Sequence, residues 1–154
     1  MVLNYDIAKI IKVGCHAAAG VGLIGAFTTD APALAAIWGT MIYKIAKEYD
    51  VEFSNETCLK IATSILMSAS TFMVGSGILV KILTYSGVGA WIGLATNCII
   101  NYFYTWRLGT AFDEIFRYCG VDTVLSKLVS LAIKKLCPVP TLSEVKELWN
   151  FYRH

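Results

Sequence analysis

Residues 20–50 read GVGLIGAFTTDAPALAAIWGTMIYKIAKEYD, and two interpretations of them lead to two different folds. The first six residues match the Gly-x-Gly-x-x-Gly spacing of dinucleotide-binding loops, which work only between a strand and a helix of a βαβ unit. The preceding residues, IAKIIKVGCHAAA, are typical of a helix and lack the β-branched cluster of a parallel strand. No second βαβ unit follows, so we interpret this stretch as the bend of a hydrophobic helical hairpin.

The hairpin is expected to consist of two helices, one from residue 4 to about residue 26 and one from about residue 31 to residue 49. Asp30 can cap the second helix, and Pro32 suits its first turn because proline has no N–H to satisfy. The apolar part of the second helix, residues 31–43, is too short to cross a bilayer alone. The hairpin therefore either re-enters the membrane or packs beneath longer helices.

The composition favours a membrane protein over a soluble one. The chain has 154 residues, of which 56% are hydrophobic and 16% are charged, and its mean hydropathy is +0.61. Ordinary globular chains contain about 25% charged residues. Residues 61–80 and residues 82–106 contain no charged side chain, and each run can span a bilayer core. We therefore expect an all-α integral membrane bundle with two long transmembrane helices, over about 55–82 and 88–118.

The last third of the chain predicts two shorter amphipathic helices. In VDTVLSKLVSLAIKKLC, lysine and serine lie on one side of a helix and aliphatic residues on the other. Such a helix lies on a membrane or on a partner, or it is an ordinary surface helix of a bundle. LSEVKELWNFYRH predicts the last helix. The expected domains are a membrane domain, 1–118, with a hairpin (4–49) and a spanning pair (55–118), and a C-terminal amphipathic part, 119–154.

Basic residues flank the predicted spanning pair asymmetrically. Only Lys81 lies in the connecting turn, whereas several lysines and arginines precede the third helix or follow the fourth: Lys44, Lys47, Lys60, Arg107, Arg117, Lys127, Lys134 and Lys135. The positive-inside rule then places both termini in the cytoplasm. The net charge of +2 comes without a basic stripe with interleaved aromatic residues, so we expect no nucleic-acid partner.

Residue types that carry out catalysis do not converge in this sequence. Cys15 and His16 are neighbours in a helix and point about 100° apart, so they do not form a thiol–imidazole pair. Asp113 and Glu114 are also adjacent, and a solvated face suits them better than paired-carboxylate chemistry. We expect the charged end of the fourth helix, with Arg107, Asp113, Glu114 and Arg117, to project into water. The five cysteines are scattered, without Cys-x-x-Cys spacing, which indicates neither a disulfide framework nor a zinc site. We expect a non-enzymatic protein without cofactor or metal.

Three polar residues within apolar stretches are the functional candidates. Asp30 is an acid in a run that is otherwise uncharged apart from His16. Such an acid either caps a helix or faces a water-filled path or a protein partner. Asn97 and Asn101 are four residues apart and share one helix face. Buried amides in lipid form hydrogen bonds between helices, and they can also line a pore.

Small residues at a spacing of four predict close helix contacts. Three such pairs occur in the expected helices: Ala35 and Gly39, Ser64 and Ser68, and Gly89 and Gly93. The spacing does not distinguish contacts within one chain from contacts between copies. A homo-oligomer is therefore one expected arrangement.

Two segments resemble the YcjF-type membrane domain, a bacterial domain family often encoded beside or fused to a small GTPase domain. GLIGAFTTDAPALAAIWGTMIYKIAKEYDV is similar to its first half, and YSGVGAWIGLATNCIINYFYTWRLGTAFDEIF is similar to its second half, ending in Thr-x-x-Leu-Gly. The resemblance covers Cys15 to Tyr118, and Trp38 stands where the family often has glutamine. It implies a helical module of the bacterial inner membrane, with nucleotide hydrolysis belonging to a separate GTPase.

Three functional hypotheses follow. The first is a non-enzymatic membrane adaptor that seats or responds to a GTPase, with the lipid bilayer and the GTPase as partners. The second is a homo-oligomeric channel lined by Asp30, Asn97 and Asn101. The third is a soluble oligomeric helical bundle that buries its apolar runs between copies.

Overall fold

The computed structural model of the chain describes residues 3–22, 27–68, 78, 79, 81, 82, 96–119 and 124–154, and the side chains of these residues except 22, 27–30, 96 and 97. This part of the chain contains six helices and no strand, so the predicted all-α class is confirmed for it. The helices are α1 (Tyr5–Gly22), α2 (Phe27–Glu48), α3 (Asn55–Met67), α4 (Thr96–Cys119), α5 (Leu125–Leu136) and α6 (Leu142–Arg153).

Helix α4 forms the centre of the bundle. Residues 101–109 of α4 are all buried, including the aromatic side chains of Phe103, Tyr104 and Trp106. Helix α1 packs along α4, α2 packs against α1, α3 and α4, and α5 covers α4 and α3. One apolar core runs through these helices and extends to α6 through Val145 and Leu148. The burial of this apolar area is the main stabilising contribution to the bundle.

Local sequence signals explain where α3 begins and α2 ends. From the sequence, either Ser54 or Asn55 can cap α3. The structure shows Ser54 as the cap, with its hydroxyl accepting a hydrogen bond from the Thr57 N–H at 3.1 Å. Helix α2 ends at Glu48 and is followed by a turn that contains a left-handed residue, Asp50, with φ of 55°. The Val51 N–H then donates to the Ala46 carbonyl at 2.9 Å, which closes the helix in a Schellman-type turn.

The predicted start of α2 is wrong. The helix begins at Phe27, four residues before the expected start at Ala31, so Asp30 lies inside its first turn and not at the N-cap. Pro32 accordingly lies inside the helix. Proline is tolerated near a helix start because the first N–H groups have no partner within the helix. Pro32 is therefore compatible with a helix that begins at residue 31 and with one that begins a few residues earlier.

None of the helices in the described part of the chain is long and apolar enough to cross a membrane. The expected transmembrane bundle is thus unsupported there. Helix α3 ends at Met67 and packs its apolar face, including Ile61 and Ile65, into the core. Leu79, within the predicted third span, is also fully buried in the core. Residues 98–106, the described part of the predicted fourth span before Arg107, lie in the first half of α4, which is surrounded by other helices, and a helix buried on most sides is apolar on most sides.

The two C-terminal helices are surface helices of the bundle. In α5, Leu128, Ala132 and Leu136 are buried, whereas Lys134 and Lys135 are exposed. The apolar face of α5 therefore contacts α4 and α3 within the same chain. Of the two possibilities left open by its amphipathic pattern, the structure shows the surface helix. Helix α6 begins with a capping box between Thr141 and Glu144.

Gly109 on α4 provides a stability test of the contact with α1. A Cβ atom at this position would lie 2.6 Å from Cγ1 and 3.0 Å from Cγ2 of Ile11, a β-branched side chain that is fully buried. We expect Gly109→Ala to lower the free energy of unfolding by about 1–3 kcal/mol, the cost of overpacking a core. Denaturant unfolding followed by circular dichroism measures the change.

Gly20 on α1 is the matched control, because a Cβ atom there meets nothing within 4 Å. Gly20→Ala should leave the fold unchanged and add about 0.5–1 kcal/mol, since alanine favours a helix over glycine. Equal stability of the Gly109→Ala variant and the unmodified chain would contradict the close packing of α1 on α4.

Candidate functional site

The three functional candidates from the sequence lie on α2 and α4. The side chains of Asp30 and Asn97 are outside the described residues, and both residues lie in the first turn of their helices. Asn101 is 2% exposed, and its Nδ2 donates a hydrogen bond to the Ala18 carbonyl of α1 at 3.2 Å. Its Oδ1 has no hydrogen-bond partner among the described residues. Asn101 thus joins α1 to α4 from inside the core.

Arg107 connects α4 to α6 and to the segment between α5 and α6 through hydrogen bonds. Its side chain is 5% exposed, and Nε and Nη2 donate to Oε1 of Glu144 at 2.9 and 2.7 Å. Nη1 donates to the carbonyls of Leu136 and Pro138 at 3.0 and 2.6 Å. The guanidinium also lies 5.0 Å from the ring centroid of Phe103. These contacts balance the charge and satisfy carbonyls at the end of α5.

Asp113 forms a second polar cluster at the other end of α4. It is fully buried and accepts hydrogen bonds from the Tyr49 hydroxyl at 2.5 Å and from Nη2 of Arg117 at 2.8 Å. Burial and the hydrogen bond to Asp113 raise the pKa of Tyr49, so its phenol stays protonated and acts as the donor. Phe53 and Phe116 pack beside this cluster. Asp113 therefore holds the turn after α2 against α4.

The sequence-based expectation for the end of α4 is wrong for two of its charged residues. Arg107 and Asp113 were expected to face water, and both are buried. Each is neutralised by a partner from another turn or another helix, which is the condition under which a charged side chain enters a core. Glu114 is half-buried and pairs with Lys135 at 2.6 Å, and Arg117 is exposed, as expected for a solvated face.

One of the three small-residue pairs lies at a close helix contact. A Cβ atom on Gly39 would lie 3.1 Å from Cα of Leu59 on α3, and Ala35 on the same face of α2 is 5% exposed. This contact is within one chain. Ser64 is exposed, and the Ser68 hydroxyl bonds to the Ser64 carbonyl at the end of α3, so the expected contact does not form between these serines and another helix. Gly89 and Gly93 lie outside the described residues.

His16, Cys15 and Cys58 take part in helix packing. Nδ1 of His16 lies 2.8 Å from the Lys12 carbonyl, and its ring stacks on Tyr152 at 6.0 Å. Cys15 and Cys58 are buried, and burial raises the pKa of Cys58 to about 11 and that of Cys15 well above its ordinary value. Within the residues that the structure describes, no three His, Cys, Asp or Glu side chains converge on a possible metal position.

An open apolar groove runs between α1 and α2. We call it the α1–α2 groove; its volume is about 250 Å³, and its lining includes Ile10, Val13, Ala17, Ala36, Ile37 and Lys44. Val13 is 58% exposed, which is unusual for a valine in the middle of a bundle helix. Gly14, Ala17 and Ala36 have no side chain or a short one, so their side chains do not fill the groove. The groove therefore offers an apolar surface into which another helix can pack.

The partners of the buried charges Arg107 and Asp113 were not predicted from the sequence. The pattern Thr141-x-x-Glu144 is a capping-box signal and marks Glu144 as an ordered residue. No comparable signal marks Tyr49 as the partner of Asp113, since the two residues are 64 positions apart. Trp38 was noted only as a departure from the family pattern; its Nε1 donates to the Thr105 hydroxyl at 2.8 Å and joins α2 to α4.

The structure places the two segments of the family resemblance side by side. Residues of the first segment form α2, and residues of the second form α4, and the two helices are in contact. Comparisons with known proteins do not extend this resemblance, because no family model, no curated protein and no solved structure matches the chain.

Proposed function

We propose that the chain is a non-enzymatic membrane adaptor for a GTPase, and that the partner docks on the α1–α2 groove. The observation that carries the proposal is this groove: an apolar channel between two helices, open on the outer face of the bundle. Membrane association is supported by the sequence of residues 69–95, in which Lys81 is the one charged residue. The GTPase is what the family resemblance implies.

The lining of the groove specifies the docking partner. Ala17 and Ala36 are exposed and have short side chains, which allow a helix backbone to approach closely. Lys44 lies at one end of the groove and is exposed. The matching surface is an amphipathic helix with small and apolar residues along one stripe and an acidic residue facing Lys44. Such a helix at the surface of a GTPase domain is the expected occupant.

The position of Asn101 supports the adaptor over the channel. A pore-lining amide faces water, whereas the amide of Asn101 bonds to Ala18 within the bundle. Asp30 remains a candidate for a contact with the partner, because it lies in the first turn of α2, six residues before Ala36 of the groove.

Photo-crosslinking in cells tests the proposal. A photoreactive amino acid is placed at Val13 or Ile37 of the full chain, and crosslinked proteins are isolated from the membrane fraction and identified by mass spectrometry. We expect a GTPase from both positions, and its loss when Ala36→Glu is added. A photoreactive residue at Thr63, exposed on α3, is the matched control and should not yield it.

Two results would contradict the adaptor. Crosslinks only between copies of the chain would identify the groove as an oligomer interface. If the chain were also found outside the membrane fraction, this result would favour the soluble oligomeric bundle. A GTPase captured equally from position 63, or retained with Ala36→Glu, would show that the groove is not its docking site.

A further inference from the structure

A second cavity lies beside Trp106, between the beginning of α1, α4 and α6. We call it the Trp106 trough; its volume is about 590 Å³, and its lining includes Leu3, Ala8, Trp106, Glu147, Asn150 and Phe151. This volume falls within the range of small-molecule sites, about 300–1,000 Å³. A smaller cavity of about 170 Å³ shares Trp106, Thr110 and Glu147 with it, so the two form one depression along α4.

The trough is separate from the α1–α2 groove. Ala8 lines the trough, whereas Ile10, Val13 and Ala17 line the groove. At 100° per residue these three positions lie about 140–200° around α1 from Ala8. The two surfaces are therefore on opposite sides of α1, and a variant in one need not affect the other.

The charges along the depression leave one carboxylate without a partner. The smaller cavity is lined by two ion pairs, Arg107 with Glu144 at 2.7 Å and Lys135 with Glu114 at 2.6 Å. Glu147, which lines both cavities, forms no ion pair with the residues that the structure describes. The paired charges cancel one another, so the titratable side chains of the depression outside these pairs are Glu147, which contributes a negative charge, and His154.

The surroundings of Glu147 favour a cation that carries an apolar group. Trp106 forms an aromatic wall of the trough, and indole is the aromatic ring that attracts cations most strongly. Leu3, Ala8 and Phe151 add apolar surface, and Thr110, Asn150 and His154 add hydrogen-bonding groups. Few polar groups in a mostly apolar cavity are typical of sites that orient small ligands.

We propose that the Trp106 trough binds an organic cation, an ammonium or guanidinium group attached to an aliphatic or aromatic body. The cation pairs with the Glu147 carboxylate over the indole of Trp106, and the apolar body lies against Phe151, Leu3 and Ala8. The cationic group has two possible sources, a free amine and a lysine or arginine side chain of a peptide. Both present the same chemistry to Glu147.

Calorimetric titration of the purified full chain tests the site. The probes are phenethylamine, its neutral analogue phenethyl alcohol, and a blocked tripeptide with a central arginine. We expect the chain to bind phenethylamine or the tripeptide at least tenfold more tightly than the alcohol. Binding of the amine alone assigns the site to free amines, and binding of the tripeptide alone assigns it to protein side chains.

Two variants identify the site. Glu147→Gln keeps the shape of the side chain and should weaken binding of the charged probe at least tenfold, because the carboxylate is lost. Ala8→Leu should abolish binding by filling the trough. Glu52→Gln, an exposed carboxylate after α2, is the control and should bind as the unmodified chain does. Unchanged affinity in the Glu147→Gln variant, or equal affinity for amine and alcohol, would overturn the proposal, and the partner of the α1–α2 groove does not enter either measurement.

Discussion

Replacing Arg107 by alanine should lower the free energy of unfolding by about 3 kcal/mol, at the lower end of the cost of breaking a buried ion pair. The substitution removes the partner of the Glu144 carboxylate and the donors to the Leu136 and Pro138 carbonyls. Glu144 is 27% exposed and can be partly hydrated again, which limits the loss. Thermal and denaturant unfolding followed by circular dichroism measure the change.

The same substitution should also loosen the segment between α5 and α6 locally. Arg107 is the residue that holds the carbonyls of this segment, so limited proteolysis should cut near residues 137–141 earlier in the variant. Lys60→Ala removes a cation whose pair with Glu56 is 64% and 76% exposed, and it should change neither measurement detectably. An Arg107→Ala variant as stable and as protease-resistant as Lys60→Ala would show that the Arg107 contacts contribute little.

The helices themselves were largely predictable from periodicity. The amphipathic patterns of α5 and α6, the Ser54 cap of α3 and the all-α class are all present in the described residues. The helix boundaries were less predictable, because the start of α2 depends on which residues satisfy the first N–H groups. Pro32 was compatible with a start at residue 27 as well as at residue 31.

Periodicity could not predict whether the apolar helices are surrounded by lipid or by other helices. An uncharged run of twenty or so residues is compatible with lipid and with the centre of a helical bundle, because both surround a helix with apolar groups. In the described part of the chain, α4 is buried by α1, α2 and α5. Distinguishing the two requires knowledge of which helices surround it, and this information lies in contacts between residues far apart in sequence.

Close approach of helices was predictable for one glycine and not for another. Gly39 follows Ala35 by four residues, and the pair indicated the contact with α3 that the structure shows. The residue four positions before Gly109 is Thr105, so Gly109 belongs to no pair of Gly, Ala or Ser residues. A Cβ atom on Gly109 would nevertheless lie closer to Ile11, at 2.6 Å, than a Cβ atom on Gly39 would lie to Leu59, at 3.1 Å. Spacing within one helix does not report the size of the side chain opposite, which decides whether glycine is required.

Asp113 and Glu114 provide the sharpest contrast between sequence and structure, and Asp113→Ala should have the second large effect. The two acids are adjacent and were expected to share a solvated face, yet Asp113 is fully buried and Glu114 is half-buried. Adjacent residues in a helix point about 100° apart, so one can face the core while the other faces the rim. Which of them does so is set by Tyr49, on a turn 64 residues earlier.

Loss of the Asp113 carboxylate removes the acceptor of the Tyr49 hydroxyl and the anion that Arg117 pairs with. We expect Asp113→Ala to cost about 2–3 kcal/mol in the free energy of unfolding, since the half-buried Tyr49 hydroxyl loses its charged acceptor and the pair with Arg117, whose side chain is 33% exposed, is broken. Glu114→Ala is the control, one residue away with the same charge lost. Its pair with Lys135 is 38% and 48% exposed, so about 0–1 kcal/mol is expected.

The difference between these two neighbouring variants separates a specific role of Asp113 from a general loss of negative charge on α4. Denaturant unfolding of both, with Tyr49→Phe as a third variant, provides the test. Tyr49→Phe keeps the ring contact with Phe116 and removes only the hydroxyl, so its cost should lie between the other two. Equal costs for Asp113→Ala and Glu114→Ala would show that the turn after α2 is held by its apolar contacts with Phe53 and Phe116, and that the buried carboxylate is not required to hold it.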